Sequence, residues 1–531
     1  MKKIILFLLL ASLTLSGCGG KEKENEESVI TGTAGEMVDE IDTGEIVLSM
    51  RTTSTLNPLL NEDASVDSIL RIMYMPVIDL DETGKPSPSI AESWYYSEEG
   101  TVLNVKIKEG ILWHDGSEVT ADDIIYSVGV LKEAGENAVY KECVENITEC
   151  IKNGKYSLEV HFDEAYSGNV YSMCFLPVNR NWGMRAGSKV GALGNGSYAF
   201  ESYTPAKEIV LKAAEKTSAQ KPYTQTVRVK MTTDSDTDIY SFSQRLTDCI
   251  NVKESEMGRF DIGADANKYS YVSNYYDFIG FNFGNSILSE RNIRKAIAYA
   301  VPLESIIDGV YLSNAVAAST PISPASYLYD DTVKTYDYSL EASKDYFEAS
   351  GFSVGAESDI RARHEEDEVQ TLSFRLLVNE ESEERKQAAR KIAEELKAAG
   401  CEITIEKVPF DEYVKKLEKG DFDMFMGGWE MSVMPYPGFM FDSAHIGKTN
   451  YISYNSEKMD SLLAETYTEV ANSAILENYS AIQHEIAEEL PYVSLVYRKS
   501  AIFTDEMISG DIMPYKDNCY KTIAQWKTER R

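Results

Sequence analysis

The residues of this chain that could do chemistry are 5 histidines, 7 cysteines and 86 carboxylates among 531 residues, and their spacing argues against the common reactions. The histidines stand at 114, 161, 364, 445 and 484, and none has the i, i+4 partner and adjoining glutamate with which a helix holds catalytic zinc. No Cys-x-x-Cys occurs, so neither a metal knuckle nor a dithiol motif is indicated. Gly-x-Ser-x-Gly, which presents a nucleophilic serine on a sharp turn, is missing, as is the phosphate-cradling Gly-x-x-x-x-Gly-Lys-Ser/Thr. Gly194-Asn195-Gly196 is too short for a dinucleotide loop. Carboxylates are too numerous for any acid–base pair to be singled out. An enzyme reading, such as an extracytoplasmic hydrolase, is possible but unsupported, and no motif indicates a cofactor or a metal.

The elements that would position a binding residue are clearest between 371 and 430. Leu372, Phe374, Leu376 and Val378 alternate as in a strand. Over 383–399, Ala388, Ile392, Leu396 and Ala399 share one helical face, and Gly400 suits the position after the helix end. Ile403, Ile405 and Val408 mark a second strand, Asp411 to Lys419 a short helix stopped by Gly420, and Phe422 to Met426 a third strand. Strand-helix-strand-helix-strand at these lengths predicts a parallel sheet covered by helices. Ligands of such sheets sit beyond the carboxyl ends of the strands, where Gly427-Gly428-Trp429 follows. A binding indole and an indole packed under a loop both fit that position.

Elsewhere Glu45 to Met50 reads as a buried strand and Val102 to Ile107 as an alternating one. Thr120-Ala-Asp-Asp123 opens a helix with a capping-box pattern. Residues 475–490 read as a helix ended by Pro491, and Tyr492 to Tyr497 as a strand. The length implies two or three domains, yet no linker divides the chain into sequential ones. The composition is that of a globular protein, with 43% hydrophobic and 26% charged residues. A net charge of −34 disfavours nucleic acid as a partner. The 33 tyrosines fit half-buried strands or a wet binding cleft equally well.

The N-terminus reads as an address. Met1-Lys2-Lys3 precedes an apolar run from Ile4 to Leu15, too short for the roughly 20 residues of a membrane span but fitting a signal peptide over 1–17. Leu15-Ser16-Gly17-Cys18 resembles the bacterial lipobox, in which cleavage before the cysteine leaves a thiol that carries diacylglycerol. Residues 18–44 then read as a lipidated, disordered tether, so attachment through Cys18 rather than a span is expected.

Several stretches in order are similar to the family 5 extracellular solute-binding proteins, the dipeptide, oligopeptide and nickel binders. They are Thr55-Leu-Asn-Pro58, Ile90-Ala-Glu-Ser-Trp94, Gly110-Ile-Leu-Trp-His-Asp-Gly116, Thr120-Ala-Asp122 and Gly194-Asn-Gly-Ser-Tyr198. Ile279-Gly-Phe-Asn282, Ile293-Arg-Lys-Ala-Ile297, Asp460-Ser-Leu-Leu463 and Glu489-Leu-Pro-Tyr492 continue the series. The resemblance implies an α/β, two-lobed periplasmic-binding-protein-like (type II) fold with an extra α/β domain. It implies lobe I from 45–72, 190–275 and 495–531, the extra domain from 73–189, and lobe II from 276–494. It implies hinge closure on a small ligand, most simply a peptide, which a monomer hands to an ABC permease in the membrane. A metal chelate, an oligosaccharide or an opine-like amine is the alternative ligand.

The same resemblance places candidate cleft residues at Asn61, Glu62, Asp63, Asn282, Trp429 and Glu430. Peptide binders of this family carry an aspartate three residues after the tryptophan, against the ligand's ammonium group; here that position is Ser432. Arginines found near that tryptophan in oligopeptide binders fall on Leu417 and Met426. Either Glu430, Glu62 or Asp63 then supplies the counter-charge from a shifted geometry, the favoured expectation, or the ligand has no free amino terminus at that spot.

Overall fold

The apolar periods of the chain are realised as two bodies with separate cores. A computed structural model describes residues 44–185, 192–257, 266–355, 358–365, 368–516 and 518–529. The signal-peptide and tether readings, and Cys18, lie outside the described residues.

The first body begins with β1 (Glu45–Arg51), whose alternating burial sends Ile46, Leu48 and Met50 inward. Asp63 caps α1 (Ala64–Met73) by accepting from the Ser65 and Val66 amides. β2 (Ile78–Leu80) and β3 (Pro86–Pro88) form a small antiparallel hairpin. An antiparallel sheet follows, in the order β4 (Ala91–Tyr96), β5 (Val102–Ile107), β7 (Ser157–Phe162), β6 (Ile147–Gly154). Against it lies α2 (Ala121–Glu133), opened by the expected acid: the Thr120 N–H donates to Asp123 Oδ2 at 2.9 Å.

The chain then returns to its start. β8 (Tyr198–Thr204), β9 (Glu208–Ala213) and β10 (Thr226–Thr232) complete a sheet in which β10 runs parallel to β1 across some 180 residues of sequence. Gly194 and Gly196 are needed at this return. An added Cβ on either would strike the backbone at Ile72 and Met73, and the Asn195 and Gly196 amides donate to Met73 O. Residues 46–231 and 502–526 share one continuous core.

The second body holds the strand-helix-strand-helix-strand unit, and strands from the first body run into it. β11 (Cys249–Val252) and the long β12 (Ala266–Phe281) lead across. β13 (Ser373–Asn379), α3 (Glu383–Ala398), β14 (Glu402–Val408), α4 (Phe410–Lys419) and β15 (Met424–Glu430) follow in the expected order. β13 pairs parallel with both β14 and β15, and β12 pairs antiparallel with β15. β16 (Tyr492–Asp505) runs back beside β12 and carries the chain to the first body.

Two strands run well past the ends read from the sequence. The third strand of the unit continues through Glu430 instead of stopping at Met426. Gly427 and Gly428 lie inside the strand and permit close packing there: a Cβ on Gly427 would press on Phe425 and Phe278. The last long strand continues through Asp505 instead of Tyr497. Arg498-Lys499-Ser500 interrupts the apolar run, yet Arg498 is buried because a carboxylate meets it from β12.

Candidate functional site

β12 and β16 cross between the bodies, and the side chains on and around them build a cluster and a cavity. At the cluster's centre Asp277 is fully buried in β12. Arg498 Nε on β16 donates to its Oδ2 at 2.6 Å, Tyr311 OH to the same oxygen at 2.9 Å, and Arg385 Nε to its Oδ1 at 2.9 Å. Arg385 comes from the first turn of α3 and lies over Gly428 of β15, where no side chain intervenes. Burial alone would push the Asp277 carboxyl up, but the two guanidiniums outweigh it and hold it below the usual carboxylate range.

A cavity of about 220 Å³ lies between the two bodies. β12 and β16 supply Tyr271, Asn274 and Tyr497, and the loop after β15 supplies Met431 to Val433. The β2–β3 turn adds Glu82 and Thr83, and residues 514–516 close it from the first body. A larger cavity, about 720 Å³, is built entirely from residues 298–494. It is the bigger of the two, but it lies within one body, so movement between the bodies would not enclose its contents. The smaller cavity is therefore the candidate site.

Contacts at its margin tie the bodies together. Tyr166 and Tyr467 stack with centroids 4.5 Å apart, and the Ser167 amide donates to Tyr467 O at 2.7 Å. The Tyr327 amide donates to Thr83 O at 3.1 Å, and the Tyr171 and Tyr327 hydroxyls lie 3.2 Å apart. Part of the tyrosine content is thus spent on this seam.

The candidate residues fall into separate places. Trp429 and Glu430 end β15, immediately before the lining residues Met431 and Ser432. The Trp429 ring turns toward Phe439, edge-on at 5.0 Å, and Tyr451, stacked at 6.2 Å. Glu430 is exposed, opposite Tyr275 in the register. Asn282 lies at the far end of β12, where its Nδ2 donates to Gly420 O and Phe422 O. Register pairs Tyr276 with Trp429, so Asn282 is about 20 Å along the strand from the indole. Asn61 is buried, bonded through Nδ2 to Asp63 O, and Asp63 is occupied as the α1 cap. Glu62 sits against Gly135. None of the six candidates, Trp429 and Glu430 included, lines either cavity.

Sequence reasoning missed Asp277, Arg385, Arg498, Glu82 and Lys516. A signal for the first existed: an aspartate inside Tyr275-Tyr-Asp-Phe-Ile-Gly-Phe281 demands a buried partner. Glu82 and Lys516 carry none, because nothing in their own segments points to the cavity.

Comparison with known proteins agrees with this architecture. The oligopeptide-binding protein AppA of Bacillus subtilis is 25% identical over 540 residues, covering 98% of this chain and 97% of its own. HbpA2 from Haemophilus parasuis superposes with a TM-score of 0.76 at 16% identity, over 92% of this chain and 100% of that one. NikZ from Campylobacter jejuni, solved in complex with Ni(L-His), gives 0.61 at 19% identity, over 92% and 100%. The pattern described as "Bacterial extracellular solute-binding proteins, family 5 Middle" matches residues 85–451, and the chain belongs to the family 5 bacterial extracellular solute-binding proteins.

Proposed function

We propose that this protein is the substrate-binding subunit of an ABC importer, capturing peptides between its two lobes and passing them to a membrane permease. The observation that carries the reading is the cavity between two bodies joined by continuous strands, which lets closure enclose a ligand. The full-length similarity to an oligopeptide-binding protein supports peptide as the ligand. We take lobe I as 45–72, 190–275 and 495–531, the extra domain as 73–189, and lobe II as 276–494. The parallel pairing of β1 with β10 supports a first lobe assembled from distant segments.

The protein works as a monomer held outside the cytoplasm by lipid on Cys18, within Leu15-Ser16-Gly17-Cys18. No described helix is long and apolar enough to cross a membrane. Cys18→Ala is expected to leave an unlabelled precursor; undiminished labelling with a fatty-acid probe would reject the anchor. Native mass spectrometry of gently purified protein is expected to show a retained peptide. A retained metal chelate would favour the second reading, which the Ni(L-His) complex of NikZ supports.

A further inference from the structure

Among the described residues, the lining of the interlobe cavity carries one carboxylate, Glu82, and one ammonium, Lys516. None of the three acids expected from the sequence to offer a counter-charge lines it. Asp63 is committed to the α1 amides, Glu62 lies against Gly135, and Glu430 stands opposite Tyr275. Ser432 does line it, but the side chain is neutral, and its hydroxyl donates to Met434 O at 2.5 Å. An ammonium group entering a partly dehydrated cleft needs an opposite charge.

Glu82 is held where it can provide one. It is exposed, with no ion pair among the described residues. Its turn is rigid: Asp81 Oδ1 accepts from the amides of Thr83 at 2.9 Å and Lys85 at 3.0 Å, and Gly84 takes φ +79°. The turn is also clipped across the seam, because the Tyr327 amide of the second body donates to Thr83 O. The residue beside Glu82 is thus fixed to the body that carries Ser432, and Glu82 and Ser432 line the same cavity.

We propose that Glu82 is the counter-charge for the free amino terminus of a peptide ligand, in place of an acid at position 432. This rests on the peptide reading above. It makes Glu82 a specificity-determining residue, contributed by the β2–β3 turn and not by the strand that ends in Trp429.

The test is calorimetric titration with dialanine, trialanine and nonaalanine, each with a free and an acetylated amino terminus. Wild type should bind the free form of at least one peptide ten times or more tighter than its acetylated form. Glu82→Gln should remove that difference without weakening the acetylated form, and adding Ser432→Asp to Glu82→Gln should restore it. Because Glu82 is exposed, the melting temperature of Glu82→Gln should match wild type. Peptide binding with the free-terminus preference intact in Glu82→Gln, or lost instead in Glu430→Gln, overturns the assignment and leaves the peptide reading standing. Equal wild-type affinity for free and acetylated forms does the same. Failure of every peptide, free and acetylated, to bind wild type overturns the peptide reading itself, and the assignment with it.

Discussion

Asp277 and Arg498 join the two strands that pass between the lobes. The guanidinium on β16 donates to the carboxylate on β12 at 2.6 Å, and the carboxylate is wholly shielded from water. Arg385 brings a second cation to the other oxygen, 2.7 Å from Nη2. Three charges from segments 108 and 221 residues apart in sequence thus meet on the crossing strands. They tie β12, β16 and the start of α3 together.

Removing the carboxylate should expose the weight of this arrangement. Asp277→Asn leaves two largely buried guanidiniums without their shared partner, and the expected loss is about 3–5 kcal/mol of unfolding free energy. Denaturant titration followed by circular dichroism measures it. A loss below about 1 kcal/mol would mean that water or Glu384 replaces the missing charge.

Gly428→Ala tests the same place by sterics. A Cβ there would overlap the Arg385 guanidinium and crowd Asp277 Oδ1, so the cation must leave or β15 must shift. Overpacking of this kind costs about 1–3 kcal/mol. Because β15 leads directly into the lining residues, ligand affinity should fall together with stability in the same variant. Gly84→Ala, whose Cβ would meet no atom within 4 Å but whose φ is +79°, separates backbone strain from overlap.

Trp429→Ala should destabilise whatever its effect on ligand, because the ring packs against Phe439 and Tyr451. A fully buried tryptophan costs about 3–5 kcal/mol on truncation, and this half-buried one should cost about 2–3 kcal/mol. Trp429→Phe keeps part of that packing. Thermal unfolding of both variants, set against their ligand titrations, distinguishes a packing residue from a contact residue.

His114 gives the fold an acid-sensitive point. One ring nitrogen lies 2.9 Å from Gly196 O, and burial pushes its pKa down from 6.5, with the hydrogen bond and Asp115 offsetting only part. The folded state therefore binds the proton less readily than the unfolded state. Its stabilisation is complete above about pH 6.5 and is lost as pH falls through the lower, folded value. His114→Gln should flatten stability between pH 7 and pH 5 relative to wild type; parallel curves would remove His114 from the acid response.

Local periodicity determined the elements of this protein well. The alternation at 372–378, the helical face at 388–399 and the glycines at 400 and 420 place three strands and two helices, because each pattern is set by neighbours in sequence. The acid at Asp123 opens its helix for the same reason. The ordered motifs from Thr55 to Tyr492 likewise announced the family from the chain alone.

The site was decided by tertiary structure. Asp277 looks like a defect in an apolar strand until Arg385 and Arg498 arrive, and Gly427-Gly428 gives no sign of the Phe278 and Arg385 side chains that fill the space above it. Asn282 and Trp429 both looked like cleft residues, but antiparallel pairing puts them toward opposite ends of the shared ladder. Glu82 lies in an ordinary hairpin turn, and only the seam at Tyr327 turns that hairpin toward the cavity. Each depends on which distant backbone lies alongside, a choice made by the shape and charge of the assembled surfaces and not by the period of any one segment.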